Sequence, residues 1–405
     1  MKKRKTSYLI TGMLFALLLL WCVVPAIGAP DTIKVGSSCS LTGVFGSGGA
    51  QCKAGYEIAI QHINEAGGVY VKEYGKKIPL ELILFDDESN MMTTVSRLET
   101  LNAEHKVIAY LGGFSSPIHA TQAPIAEKNK IPLLMVASYY WGVHQKGYKY
   151  NFSPFPKSFD CAKAIFELLS SLPKDQQPTK VAMFLEKAPV GMELGVLWKS
   201  VAEAHGFEIV FTREHARGTK DYSPFILGAK ASGAEALLTG PTTPEGILIT
   251  KQLKELDYNP KFYFAYRAPD PVAWGKALGK DGDYIVLGPG WNHALKYPNV
   301  DKLNKTHMEK YGRVADVMVG PAYSCVQILA NAIERAGTLD RADIRDAIAT
   351  TDLMTVIGPV KFRPDGTGIV TYFCVQWLNG KQECIAPKEM ATAPFVYPAP
   401  AWKDR

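Results

Sequence analysis

The chain contains no Cys-x-x-Cys and no His-Glu-x-x-His, and its eight histidines are scattered, so neither spacing nor composition indicates a metal site. It has no Gly-x-Ser-x-Gly elbow, and Gly46, Gly48 and Gly49 do not complete a dinucleotide fingerprint. That glycine-rich stretch follows a strand pattern and opens a helix pattern, but it lacks the Gly-Lys-Ser/Thr ending of a phosphate loop. No nucleophile, base and oxyanion site are brought together by any motif, which argues against an enzyme and against a resident cofactor. Lysine and arginine form no stripe with interleaved aromatics, which argues against nucleic acid as a partner. After residue 28 no run is apolar and long enough to cross a bilayer. What remains is an ordinary globular composition, 47% hydrophobic and 21% charged over 405 residues, long enough for about two domains.

The beginning of the chain is different. Lys2-Lys3-Arg4-Lys5 precede an apolar run from Tyr8 to Val24, then Pro25-Ala26-Ile27-Gly28-Ala29-Pro30. A basic head, a short apolar core and small residues around a breaker make residues 1–28 a secretion signal, with cleavage after Gly28. The run stops short of the length that spans a bilayer. A lipid-modified Cys22 is the alternative, opposed by the bulk of Trp21 before it. Removing the four basic residues of the signal from the formal +6 leaves +2. The mature chain is therefore expected outside the cytoplasm, with no membrane insertion of its own.

Cys39, Cys52, Cys161, Cys325, Cys374 and Cys384 remain after the signal. In an oxidising compartment Cys374 and Cys384 could pair across the Asn379-Gly380 turn, and Cys39 and Cys52 across the glycine-rich loop. Alternatively, all six are small buried hydrophobes.

From Ile33 onward short β-branched runs alternate with amphipathic helical patterns through Val136, the first helix being read from Ala50 to Gly67-Gly68. That is the signature of βαβ units and a mostly parallel sheet. The pattern breaks around Tyr150 to Pro156, and a second alternation of similar size runs from Asp160 to Phe264. A strand at Tyr284 to Leu287, helical patterns from Val300 and Ala322, and a hairpin from Ile369 to Ile385 are too few for a third domain. Assigned to the first two, they make the chain cross between lobes repeatedly, with a cleft where carboxyl ends of strands face each other.

Ile33-Lys34-Val35-Gly36 with Leu41-Thr42-Gly43, Gly55-Tyr56-Glu57-Ile58-Ala59 with Ile63-Asn64-Glu65-Ala66-Gly67-Gly68-Val69, and Leu84-Phe85-Asp86-Asp87 carry a resemblance. Leu111-Gly112-Gly113 with Ser115-Ser116, Ile131-Pro132-Leu133-Leu134 and Gly358-Pro359-Val360 extend it. In order and spacing, the chain resembles the periplasmic leucine/isoleucine/valine-type solute-binding proteins of ABC importers. The resemblance implies an α/β, two-lobed type I periplasmic-binding fold, each lobe a mostly parallel sheet flanked by helices, with three hinge crossings. Lobe 1 is expected at 29–153 plus 288–362, and lobe 2 at 154–287 plus 363–405.

The resemblance also implies a cleft that holds a solute carboxylate. Ser116, or its neighbour Ser115, matches the family's carboxylate-binding serine, at a strand-to-helix handover where hydroxyl and amide groups suit an anion. Alternatively, Ser115 merely caps its helix. Ala137, Ser138 and Tyr139 match the loop that supplies further contacts, and Phe45 is nearby. Where amino-acid-binding members place an acid for the ammonium, this sequence has Tyr266 followed by Arg267. Gly48, Val190 or Pro189, and Thr242 replace aromatics, while Tyr139-Tyr140-Trp141 brings three new ones, either to the pocket or to lobe-interface packing. The expected solute is a small hydrophobic or aromatic carboxylate without an ammonium, with Arg267 available to a second anionic or polar group. In the alternative, Asp270 takes over the missing acid's duty and the solute is a branched-chain amino acid. The partner is the membrane permease of an importer or, alternatively, a sensory receptor.

Overall fold

The computed structural model of the chain describes residues 28–405. Cys22 and the signal segment up to residue 27 lie outside the described residues. Two sheets organise the rest. The first takes β1 (Ile33–Cys39), β4 (Leu80–Asp86), β5 (Ala109–Leu111), β6 (Leu133–Leu134) and β7 (Asn151–Phe152), all parallel, in the order β4-β1-β5-β6-β7; β2 (Val69–Val71) and β3 (Lys76–Ile78) form a separate hairpin. The second takes β8 (Lys180–Glu186), β9 (Glu208–His215), β10 (Ala236–Thr239), β11 (Phe262–Ala265) and β12 (Ile285–Leu287) in parallel. Its order is β17-β16-β12-β11-β10-β8-β9, the last hairpin being β16 (Cys374–Leu378) and β17 (Lys381–Ala386), both antiparallel additions. β13 (Asp352–Thr355), β14 (Gly358–Phe362) and β15 (Gly368–Ile369) make a small antiparallel sheet between them in sequence.

β10, β11 and β12 are buried along their whole length, and β8 is buried apart from Lys180, as expected of parallel strands covered by helices on both faces. Leu98, Leu101, Val107 and Leu133 pack in the core of the first lobe; Phe184, Leu237, Ile249, Leu253 and Trp274 pack in that of the second. At their carboxyl ends the apolar runs turn polar: Ser37 and Ser38 in β1, Glu186 in β8 and Thr239 in β10 are buried. Polar groups kept out of water need partners: Ser38 has Asp87, Glu186 has Arg217 and Arg267, and Thr239 has the Phe264 carbonyl, while Ser37 Oγ has none.

The chain passes from the first sheet to the second after Phe152, leaves the second after Leu287, and returns to it from the small sheet after Ile369. Two crossings run side by side, Ser153 and Gly366–Gly368 exchanging backbone hydrogen bonds of 2.8 and 2.9 Å. Lys157 lies buried at this hinge, its ammonium donating to the Ser138 carbonyl at 2.6 Å and to Ser153 Oγ at 2.7 Å. Burial lowers its pKa to about 7, against the pull of Asp160, Glu193 and Asp365.

Some local expectations are corrected. The first helix begins at Gly46, not Ala50: the glycines read as loop form its opening turn, after a short 3-10 turn at Gly43–Phe45. Tertiary packing overrides their poor helix propensity. Residues 368–369 belong to the small sheet, so the last hairpin is 374–386. Its turn is the expected one, Leu378 opposite Lys381 with Asn379 and Gly380 at positive φ. A register shift at Cys374 sets Cys384 opposite Val375 and Cys374 opposite Ala386, so the two cysteines are not cross-strand partners. All six described cysteines are buried thiols.

Candidate functional site

Helix Ser116–Asn129 starts where β5 ends, and its first turn faces the cleft. Its N-cap, Ser115, has φ 83 and makes no side-chain capping bond, which removes the helix-cap reading. Ser115 Oγ instead accepts from Arg267 Nη1 at 3.1 Å, a bond from one lobe to the other. Ser116 Oγ accepts the Tyr139 amide at 3.1 Å. Each hydroxyl so engaged keeps its own proton to donate, and the amides of a first helical turn have no intrahelical partner. Such a corner suits a carboxylate.

Arg267 follows the end of β11 and is itself held at a left-handed φ of 57. Non-glycine residues at positive φ are uncommon and each costs on the order of 1 kcal/mol or more. Here two of them bind each other across the cleft. The guanidinium also donates to the Pro241 carbonyl at 3.1 Å, to the Gly240 carbonyl at 3.2 Å, and to Glu186, the last residue of β8. Glu186 takes Arg217 as well, at 2.6 Å. Burial alone would raise the Glu186 carboxyl, but Arg267 and Arg217 hold it below its ordinary value. Burial alone would lower the Arg267 guanidinium, and Tyr266 and Glu186 hold it above. Phe45 lies beneath both cations, 5.2 Å from Arg217 and 5.7 Å from Arg267, and edge-on to Phe114 at 6.4 Å. These are cation–π contacts from the first lobe to the second.

Around this corner stand Phe114, Tyr139, Phe155 and Tyr266. Tyr139 meets Phe155 edge-on at 5.3 Å and Tyr266 at 5.5 Å, and its hydroxyl lies 3.3 Å from that of Tyr372. Two glycines make the aromatic packing possible. A Cβ on Gly48 would come within 2.4 Å of the Phe114 ring, and one on Gly240 within 2.5 Å of the Tyr266 ring. Asp270 and Met318 complete the wall. Burial pushes the Asp270 carboxyl up to about 7, Arg267 pulling the other way. The lobes are shut on one another: the free volume enclosed is about 10 Å³, room for one water. A larger occupant requires the lobes to part or the rings to turn.

Of the residues read from sequence, Ser115, Ser116, Ala137, Tyr139, Tyr266 and Arg267 line this one pocket. Phe45 lies beside it, under the two guanidiniums. Ser138 points elsewhere: it is buried, its carbonyl takes Lys157, and its hydroxyl has no partner. The three consecutive aromatics separate. Tyr139 enters the pocket, Tyr140 packs against the first lobe's core, and Trp141 packs edge-on to Phe159 at 5.4 Å. The Trp141 and Gly142 amides donate to Glu193 of the second lobe at 2.9 and 2.8 Å, so this end of the loop is lobe-interface packing. Glu186, Phe114, Phe155 and Met318 were not expected. Arg267 differs from its expectation too, because its donors are already directed at Glu186, two carbonyls and Ser115.

The sequence profile of the periplasmic binding protein family matches residues 32–382. The chain belongs to that family. It is a solute-binding protein and not an enzyme. A Leu/Ile/Val-binding protein homologue from Brucella suis is 22% identical over 406 residues, covering 95% of this chain and 99% of the relative. A leucine-binding protein from Thermotoga maritima superposes with a TM-score of 0.78 at 22% identity, covering 88% of this chain and 98% of that one. A solute-binding protein of an ABC transporter from R. palustris, in complex with benzoate, gives 0.77 at 16% identity, covering 90% and 98%. Similarity at this level establishes the two-lobed type I fold. Among the described residues, no helix is long and apolar enough to cross a membrane.

Proposed function

We propose that the protein is the extracytoplasmic receptor of a branched-chain-amino-acid-type ABC importer, and that its solute is a small hydrophobic or aromatic carboxylate without an α-ammonium. In this reading the lobes, 29–153 plus 288–362 and 154–287 plus 363–405, close on the solute in the periplasm and present it to the permease. The carboxylate sits at Ser115, Ser116 and the first turn of the helix behind them, and the aromatic wall takes the apolar body.

One observation carries the choice of solute: Arg267 donates to Ser115 Oγ. A fixed cation therefore stands where an α-ammonium, one carbon from the carboxylate, would have to lie. Two guanidiniums share Glu186, so that acid is already engaged. A buried cation without its own partner is costly. The fold serves relatives named for leucine and one holding benzoate, so it does not choose between them. Asp270 supports a second reading, since its Oδ1 is buried without a partner and an ionised carboxylate there would suit an ammonium.

The solute contacts both lobes only when they are shut, and that differential affinity drives closure. A thermal-shift panel pairing 4-methylpentanoate with leucine, and benzoate with its amino-acid competitors, tests the reading. Stabilisation by the acids and not by the amino acids is expected; the reverse order would replace this solute with an amino acid.

A further inference from the structure

The pocket contains polar groups that a carboxylate at Ser115 and Ser116 leaves unused. Tyr266 Oη and Asp270 Oδ1 both belong to the second lobe, both are buried, and neither has a hydrogen-bond partner. Tyr266 is 2% and Asp270 3% exposed. A buried polar group without a partner costs about 1–3 kcal/mol, and most such groups in folded proteins are satisfied.

The protein holds both residues where they are. The Tyr266 ring is edge-on to Tyr139, covered by the Arg267 guanidinium at 4.9 Å, and backed by Gly240, where even a methyl group would collide with it. The Asp270 carbonyl is anchored by Gln382 Nε2 at 3.0 Å and by Gln51 Nε2, from the other lobe, at 3.5 Å. Arg267 is near enough to lower the Asp270 carboxyl electrostatically, yet its donors go to Glu186, Gly240, Pro241 and Ser115.

A partner for these two atoms has to be small and polar, and a second polar group of the solute, beside its carboxylate, can supply it in the pocket that Ser115, Ser116, Tyr266 and Asp270 all line. A hydroxyl is donor and acceptor at once, so it can pair with the Asp270 carboxyl in either protonation state and with the Tyr266 phenol. It also brings no positive charge towards Arg267. Resting on the reading of the carboxylate corner given above, we propose that the solute is a hydroxylated aromatic carboxylate, its ring hydroxyl bound by Tyr266 and Asp270.

Titration calorimetry of the purified protein with benzoate, 4-hydroxybenzoate, 3,4-dihydroxybenzoate and leucine tests this. At least one hydroxylated acid is expected to bind about tenfold or more tighter than benzoate, a difference of about 1.4 kcal/mol. Tyr266→Phe and Asp270→Leu are each expected to shrink that preference towards unity. Benzoate binding as tightly as both hydroxylated acids would overturn the proposal while leaving the carboxylate reading intact. A preference unchanged in both variants would also overturn it. Leucine binding in the absence of any response to the three acids would remove the carboxylate reading and this proposal with it.

Discussion

The two lobes contribute to the pocket in different ways. The first lobe supplies a helix start, the hydroxyls of Ser115 and Ser116, and Ala137, with Phe114, Tyr139 and Met318 as apolar wall. The helix start and the two hydroxyls are short groups that any carboxylate could use. The second lobe supplies long or ionisable side chains at the ends of its strands and on the loops after them: Glu186, Tyr266, Arg267 and Asp270. The first arrangement is generic for an anion, whereas the second responds to what else the solute bears. Function can thus be retuned by changing the second lobe's loops while the carboxylate corner and both sheets stay as they are.

The largest expected effect comes from the second lobe's charges. Glu186→Leu leaves two guanidiniums without their shared acid, one of them buried, and is expected to destabilise the protein by about 3–5 kcal/mol in urea unfolding. A loss under about 1 kcal/mol would mean that the cluster is not the electrostatic centre described. Next is the first lobe's corner. Ser115→Ala with Ser116→Ala removes hydroxyl bonds of roughly 1.5–3 kcal/mol each to a charged group, so calorimetric affinity for benzoate should fall by more than about tenfold; the Tyr139 amide and the Arg267 guanidinium each lose an acceptor, so stability falls too, by about 1–3 kcal/mol. Loss of stability without loss of affinity would reverse the roles assigned to the two lobes.

Gly48→Ala and Gly240→Ala each force a methyl group against an aromatic ring, one in each lobe. Each should destabilise by about 1–3 kcal/mol and weaken solute binding, as read by thermal unfolding and calorimetry. Unchanged behaviour in either would show that the ring beside it is free to move.

The smallest effect is a pH dependence. The Asp270 carboxyl, raised to about 7 by burial, is neutral below that pH and becomes a second anion beside an anionic solute above it. Benzoate affinity should therefore fall severalfold as pH rises through about 7, and flatten in Asp270→Asn. The same group binds its proton more tightly folded than unfolded, so its contribution to stability is lost as pH rises from about 4 to about 7. A flat wild-type profile would place Asp270 in contact with water.

The fold was legible because buried parallel strands and amphipathic helices have distinct periods, and the signals agree over several βαβ units. Ser115 and Ser116 were singled out through the family resemblance, and both line the pocket between β5 and the helix that follows it. Gly48 was read as the loss of an aromatic wall, whereas the Phe114 ring occupies that space. An apolar residue that lines a pocket cannot be told from one in a core by sequence pattern, which is why Phe114, Phe155 and Met318 were missed. Glu186 ends a buried strand with nothing local to mark it; its partners lie 31 and 81 residues away. Tyr139, Tyr140 and Trp141 are adjacent in sequence yet serve three different surroundings, a separation that only the loop's path decides.

The most direct test of the central claim is a pair of ligands differing only by an ammonium group: 3-phenylpropanoate and phenylalanine, titrated calorimetrically into the wild-type protein. The account predicts that 3-phenylpropanoate binds about tenfold or more tightly than phenylalanine, because Arg267 occupies the place an ammonium would need. Phenylalanine binding equally well or better would contradict it.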